Sequence, residues 1–283
     1  MESFAGKLAI VTGGGSGMGR ELVRQLAADG CSVATCDLNA APLAETVELA
    51  VSAAAGGVRV TAHACDVSDE PAVLRFRDEA LAAHQADHVD LVFANAAIGG
   101  GGSFINEPRE QWERVFAVNW WGVYYTARAF LPLLIASPKG VLVNTSSVNG
   151  FWASLGPAWP HTAYSTAKFA VKGFTESLIE DLRTNAPHVR VVLVMPGYIA
   201  TNIVGNSMRA FGATDAAEIE KANAGWQENA PTSAAEAAAV ILDGVRSGAW
   251  RILVGADAHK LDEFVRGNPE STYDHAERVE YLG

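Results

Sequence analysis

Cysteine is scarce in this chain, and the scarcity restricts its chemistry. Cys31, Cys36 and Cys65 are all that 283 residues contain, an odd number without a Cys-x-x-Cys pair. Neither a disulfide framework nor a zinc knuckle follows from that spacing; the three are expected as small buried hydrophobes near strands. The seven histidines show no His-Glu-x-x-His pattern, so no metal site is expected. Positive charge is also in short supply, with 21 Lys and Arg against 32 Asp and Glu and a net charge of −11. Nucleic acid and anionic membranes attract basic surfaces that displace their counterions, so neither is an expected partner. No apolar run approaches the ~20 residues of a membrane helix. The opening residues Met1–Lys7 offer neither the basic start nor the apolar stretch of a signal peptide. A cytoplasmic protein is the expectation.

What the chain does have is apolar sequence in short runs. Hydrophobic residues are 49% and charged ones 19%, enough for one large core and unlike a disordered chain. The runs Lys7–Val11, Ser32–Cys36, Arg59–Ala64, Val89–Ala94, Val141–Thr145, Val189–Val194 and Arg251–Val254 are mostly rich in Val. Such near-continuous runs suit strands buried on both faces of a parallel sheet. Helical patterns separate them. One starts at Met18, carries Leu22, Val23, Leu26 and Ala27 on a stripe, and stops at Gly30. Others cover roughly Leu43–Ala55, Glu70–His84, Arg109–Ala136, Ala163–Asn185 and Ser233–Ser247, the last opened by a Ser233/Glu236 capping box. Strand–helix repetition predicts an α/β fold, a doubly wound, mostly parallel seven-stranded sheet with helices on both faces in a single domain, residues 1–283. Gly99–Gly102 is expected to be a mobile loop. Residues 198–230, polar and without a clear strand, are expected to form a lid over the carboxyl end of the sheet. The polar tail 257–283, with Phe264 and Tyr273 as anchors, is expected to cover a neighbouring subunit.

Thr12 to Gly19 reads Thr-Gly-Gly-Gly-Ser-Gly-Met-Gly, after the first strand and into the first helix. Glycines permit a tight turn and a close backbone approach to a pyrophosphate, and the helix N-terminus offers it free N–H groups. Gly13, Ser16, Gly17, Met18 and Gly19 are therefore cofactor candidates, although a strand–helix loop needing positive φ is the plainer alternative. Asp37 ends the second strand, where a carboxylate can accept both hydroxyls of an adenosine ribose and repel the extra phosphate of NADP. Leu38 follows it, with no arginine to welcome that phosphate. NAD is expected over NADP, the alternative for Asp37 being a strand-end turn residue.

Tyr164 and Lys168, four apart on a helical segment, share a face. A free phenol titrates near ~10, and lowering it by ~3 takes ~4 kcal/mol. One ammonium at ~4 Å supplies about that much at an effective dielectric near 20. The expectation is a phenol made acidic by its lysine and by the positive charge of an oxidised nicotinamide, able to take a proton from an alcohol as hydride leaves. Ser147, 17 residues earlier and just past the fifth strand, is placed to donate to the substrate oxygen, or is a turn serine.

These motifs, together with Asp66, Asn95-Ala96-Ala97, Asn119 and Pro196-Gly197 with Thr201, resemble the short-chain dehydrogenase/reductase family from Lys7 to about Gly255. The resemblance implies catalytic roles for Asn119, Ser147, Tyr164 and Lys168, Asn119 holding a water that relays protons through Lys168. It places Asp66 and Val67 around the adenine, and Asn95, Ala96, Pro196, Gly197, Ile199, Thr201, Tyr164 and Lys168 at the cofactor. It also implies a homotetramer, or a homodimer. Two features depart from the family: Ala97 stands where glycine is usual, and the loop Phe151–Ala163 is longer. Trp152, Trp159, Met208, Phe211 and Trp226 are candidates to line a pocket for an apolar, fairly bulky secondary alcohol or ketone, or they pack the lid. Trp120 and Trp121 read as core or subunit interface, and His161 as a loop residue or pocket wall. The competing functions are an NAD-binding regulatory or scaffold protein without turnover, and isomerisation or dehydration of a nucleotide sugar. The latter is disfavoured because no sizeable second domain follows the seventh strand.

Overall fold

Valine-rich runs with both faces apolar become the central strands of the computed structural model, which describes residues 3–54, 56–153 and 160–274. The order along the chain is β1 (Leu8–Thr12), α1 (Gly17–Ala28), β2 (Ser32–Asp37), α2 (Ala40–Ala53), β3 (Val60–Ala64), α3 (Glu70–His84) and β4 (Leu91–Ala94). A long helix follows as α4 (Arg109–Phe116), a π turn (Ala117–Trp121) and α5 (Gly122–Ala136). Then come β5 (Val141–Thr145), α6 (Thr162–Asn185), β6 (Arg190–Pro196), β7 (Ile199–Ala200), α7 (Ile203–Ala210) and α8 (Ala216–Asn229). The described chain closes with β8 (Thr232–Ser233), α9 (Ala234–Ser247), β9 (Arg251–Val254) and α10 (Ala256–Gly267).

Seven strands pair in parallel in the order β3-β2-β1-β4-β5-β6-β9. Successive side chains leave a strand on opposite faces, and β1, β2, β4, β5 and β6 therefore each feed two cores. Ala9, Val11 and Val33 pack with Leu22, Leu26, Ile241 and Val245 from α1 and α9. Leu8, Ile10 and Ala34 pack on the other side with Phe76, Phe130, Leu134 and Leu182 from α3, α5 and α6. The order reverses between β1 and β4, and the crevice this opens at the strands' carboxyl ends is where such sheets bind ligands. Among the described residues no helix is long and apolar enough to cross a membrane, and no cluster of His, Cys, Asp and Glu could hold a metal ion. The three cysteines are free and buried.

Three expectations are corrected. Residues 198–230 are not a polar loop but two helices, α7 and α8, tied at their base by the β7–β8 pair. The Asp215 carboxylate caps α8 by accepting from the N–H groups of Ala217 and Glu218. Because α8 buries only Ile219 and Asn223, its apolar periodicity is thin. The polar tail contains α10, with Ala258, Leu261 and Phe264 buried at intervals of three. The glycine loop is pinned: Gly99 N donates to Ser207 Oγ (2.8 Å), and the carbonyls of Gly101 and Gly102 accept from the N–H groups of Ala163 and Thr162.

Candidate active site

The cleft begins where β1 hands over to α1. Gly13 adopts φ +72° and lies so close to the Ala96 backbone that a Cβ would fall 2.8 Å from the Ala96 Cα. At Gly19 a Cβ would sit 2.0 Å from the Gly13 carbonyl, so only glycine closes the turn. Ser16 stands at the N-cap of α1 without capping it, and its hydroxyl accepts instead from Asn206 Nδ2 of α7 (3.0 Å). The N–H groups of the first turn, with their partial positive charge, are left without a side-chain cap beside the cleft.

Asp37, at the end of β2, lines the same cleft and accepts from Gly15 N and Asn39 N, both at 3.0 Å. Leu38 beside it is 59% exposed. Arg20 is committed to holding the turn, donating to the carbonyls of Gly15 (2.9 Å) and Pro42 (3.2 Å) and pairing with Glu45 (2.6 Å). Farther along, Cys65, Asp66 and Val67 form a wall with Arg114. Burial pushes the Asp66 carboxyl up, but hydrogen bonds from Ser68 and the pair with Arg114 (2.9 Å) outweigh it and hold the group below its ordinary value. On the floor, Asn95 N and Ala96 N both donate to Thr12 Oγ1, and Asn95 Nδ2 donates to the Thr12 carbonyl. The cleft encloses about 240 Å³ and also takes in Ala97, Ile98, Thr201, Ile203, Asn206, Arg209 and Ala210. Pro196, Gly197 and Ile199 lie outside that lining; they form the turn that delivers Thr201. At Gly197 a Cβ would collide with the Asp257 carboxylate, which accepts from Tyr198 N (2.6 Å).

The π turn between α4 and α5 carries Asn119, whose side-chain amide donates to the carbonyls of Ile98 and Val115, both at 2.8 Å. Occupying the Val115 carbonyl goes with the one-residue widening of the helix. The Asn119 Oδ1 is left buried without a partner, as is the Oδ1 of Asn95. Ser147 follows β5 and starts a 3₁₀ turn; its Oγ accepts from Asn149 N (3.1 Å). Tyr164 and Lys168 project from the first turns of α6. Ser147 favours the ionised Tyr164 phenol, while Lys168, 1% exposed, donates to the Thr145 carbonyl (3.0 Å) and sits 5.4 Å from the Tyr164 ring centroid.

Without the cofactor's positive charge, burial governs both groups. Burial raises the Tyr164 phenol to about 12 against the opposing pull of the Ser147 hydrogen bond, and burial lowers Lys168 to about 7. Desolvation disfavours whichever form is charged, and without a close counter-charge it dominates both groups. In the free protein the phenol is protonated, and the amine is poised near neutrality.

The aromatic candidates divide. Trp152 is 1% exposed, packed with Val148, Ala258 and Leu261, with its indole N–H on the Thr272 carbonyl (3.3 Å). Trp226 donates to the Ile199 carbonyl (3.0 Å) and packs on Tyr198, 4.1 Å between ring centroids, so it fastens the base of the lid. Both are brought into packing rather than into the cleft lining. Phe211 lies against Gly100, where a Cβ would fall 2.8 Å from its ring, and Met208 is partly exposed on α7. Trp159 lies outside the described residues. Trp120 packs edge-on to Phe174, and Trp121 stacks on Tyr125 at 39% exposure. His161 meets Tyr164 edge-to-face at 5.9 Å; burial lowers its pKa and leaves Nδ1 without a partner. Sequence reasoning missed Arg114, Asn206 and Arg209 in the cleft, since none belongs to a spaced motif.

With this geometry in view, the comparisons are informative. The family model for short chain dehydrogenases matches residues 7–210. The putative oxidoreductase SadH of Mycobacterium tuberculosis is 37% identical over 266 residues, covering 94% of this chain and 92% of that protein. The crystal structure of a short-chain dehydrogenase/reductase from Burkholderia phymatum in complex with NAD superposes with TM-score 0.85 over 99% of both chains, at 26% identity. A metagenomic short-chain oxidoreductase in complex with NADP, 33% identical, covers 69% of this chain and 83% of its own with TM-score 0.60. The chain belongs to the short-chain dehydrogenase/reductase family of oxidoreductases.

Proposed function

We propose that this chain interconverts a secondary alcohol and its ketone, with NAD as the preferred cofactor and Tyr164 as general acid and base. The observation that carries the reading is the buried Lys168 amine 5.4 Å from the Tyr164 ring centroid, with Ser147 drawing the phenol toward ionisation. The residues present fit a dinucleotide: the turn has room only for backbone at Gly13 and Gly19, and Asn95 and Asn119 each hold a buried acceptor without a partner. Gly13–Gly19 would hold its pyrophosphate, Asp37 its adenosine ribose, Asp66 and Val67 its adenine, and Asn95, Ala96, Thr201, Tyr164 and Lys168 the remainder. When bound, the oxidised cofactor supplies a hydride acceptor and a positive charge. The preference for NAD rests on the Asp37 carboxylate in the cleft and on the commitment of Arg20 elsewhere.

The chain's own part is to move one proton. Bringing a phenol from about 12 to neutral pH requires roughly 7 kcal/mol. Even a full charge at ~4 Å supplies only about 4 kcal/mol at an effective dielectric of ~20. Lysine alone therefore falls short. Ser147 contributes a hydrogen bond that lowers the phenol, and exclusion of water strengthens every remaining charge. The alcohol's proton passes to Tyr164 Oη, with Ser147 orienting the substrate oxygen, and Lys168 and Asn119 provide the route onward. Ile203 and Ala210 in the lining, with Phe211 on the glycine loop, support an apolar, fairly bulky substrate. Exposed Trp121 and Phe169 support a homotetramer or homodimer packed through these long helices, which light scattering tests.

The decisive variant is Tyr164→Phe. Screened against hydroxysteroids, terpenols, aryl carbinols and sugars, it should bind NAD normally and lose at least ~10²-fold in kcat. Near-normal turnover would remove Tyr164 as the base. Saturable NAD binding by the unaltered protein, with no turnover on any alcohol or ketone, would favour a nucleotide-dependent scaffold.

A further inference from the structure

Ser147 is useful to Tyr164 only while its hydroxyl is held in place, and the turn carrying it is gripped from two sides. On the inner side Ser146 Oγ donates to the Lys168 carbonyl (2.7 Å), and Gly150 lies so close to that carbonyl that a Cβ would fall 2.8 Å from it. The outer grip comes from more than 100 residues away in the chain. After α10, residues 268–274 return across the turn. Thr272, 1% exposed, accepts the Trp152 indole N–H at its carbonyl (3.3 Å), and the Tyr273 hydroxyl accepts from Ala153 N (3.1 Å). The Trp152 carbonyl in turn accepts from Asn149 Nδ2 (3.0 Å), and Asn149 N donates to Ser147 Oγ (3.1 Å). Each link lies within the ordinary range for a hydrogen bond or at its long edge, and the path is continuous from the tail to the serine that touches Tyr164.

We propose that residues 268–274 are an intramolecular strap, acting through Trp152 and Asn149, that positions the Ser147 hydroxyl for Tyr164. Trp152 and Tyr273 are thus positioning residues, which replaces the pocket role that sequence gave Trp152. The proposal rests on the reading of Ser147 and Tyr164 given above. Its physical basis is that a hydroxyl free to turn spends only part of its time aimed at its partner, and misplacement of a catalytic group lowers the rate without touching cofactor contacts. The cleft residues that would hold the nucleotide make none of the strap's hydrogen bonds.

Trp152→Phe keeps a large buried ring and deletes the N–H; Tyr273→Phe deletes the hydroxyl from a side chain 47% exposed, so it spares the fold if the first variant does not. Each full-length variant should lose about 5- to 20-fold in kcat, with NAD affinity unchanged within about twofold. The alkaline shift of the kcat profile for alcohol oxidation should follow, because a weaker Ser147 bond leaves the phenol less acidic. Amide exchange at Asn149 should quicken by about tenfold or more while β5 and α6 amides keep their rates, which global loosening would not do. Unchanged kcat, pH profile and Asn149 exchange in both variants would overturn the strap. Uniform acceleration of exchange across the protein would overturn it too, making Trp152 core only. Retained turnover in Tyr164→Phe would instead strike the reading beneath it.

Discussion

In the turn between β1 and α1, a methyl group added at Gly13 or Gly19 would meet backbone at 2.8 and 2.0 Å, whereas one added at Gly225 in the lid helix α8 would meet nothing within 4 Å. The two regions face the same cleft and are built differently. The turn is fixed by main-chain approach, which tolerates one residue type at each position. The α7–α8 region, residues 198–230, expected as a lid, is held to the body by Asn206 to Ser16 and Ser207 to Gly99, and within itself by Asn223 to Gly205 and Trp226 to Ile199. One region holds a shape before any ligand arrives, and the other has the sparse packing of elements drawn from the low-stability end of a fold.

The largest effect should come from breaking the turn. In Gly19→Ala the new carbon would collide with the Gly13 carbonyl and lie 2.8 Å from Asn95 Nδ2, displacing both sides of the turn proposed to hold the pyrophosphate. Nucleotide affinity should fall by about 100-fold or more, with the melting temperature lowered as well, since the strain is borne by buried backbone. Calorimetric titration with NAD and NADH checks it. Affinity within a few-fold of the parent would mean that the turn is not the rigid half of the pair.

A second prediction concerns pH. Lys168 titrates near 7 when folded and near its ordinary 10.5 when unfolded. Between those values the unfolded chain carries a proton that the folded chain lacks, so stability rises with pH across the window, by up to ~1.4 kcal/mol per pH unit from this group. Above about 10 the raised Tyr164 acts oppositely, because the folded state then keeps a proton that the unfolded state releases. Urea melts from pH 7 to 10 should show the rise, and the difference between parent and Lys168→Met should isolate it. If the two slopes are equal, burial does not set the amine's charge.

The same contrast explains what the sequence made legible. Strands buried on both faces are mostly apolar, so β1, β2, β4, β5 and β6 stand out; glycines required by backbone contact recur at fixed spacing. The lid helices were hidden because α8 buries one apolar residue and one asparagine, Asn223, whose Oδ1 accepts from Gly205 N and reads from sequence as solvent-facing. What spacing could not show around Tyr164 is three-dimensional. The Thr145 carbonyl captures the amine, and desolvation opposes ionisation of the phenol. Trp152 stayed open between pocket wall and packing, because its partner Thr272 lies 120 positions away and no spacing rule connects them.

The smallest effect should be at Gly225, and it sharpens the comparison most directly. This glycine is interior to α8, exposed, and its added methyl would be unopposed. Glycine in a helix interior is worse than alanine by roughly 1 kcal/mol, chiefly because the unfolded backbone is freer. Gly225→Ala should therefore slow exchange of the α8 amides by about fivefold, the equivalent of that energy, while the exchange of α1 and β1 stays unchanged. If opening of the lid limits product release, kcat falls by a similar factor and the affinity for NAD is unaffected. Faster exchange in α8 would mean that the lid is held by a contact its exposed face does not show, and the contrast with the turn would then be one of degree. Slower exchange confined to α8 would establish the lid as a separately opening unit hinged on the β7–β8 pair, with Trp226 and Tyr198 as its fastening.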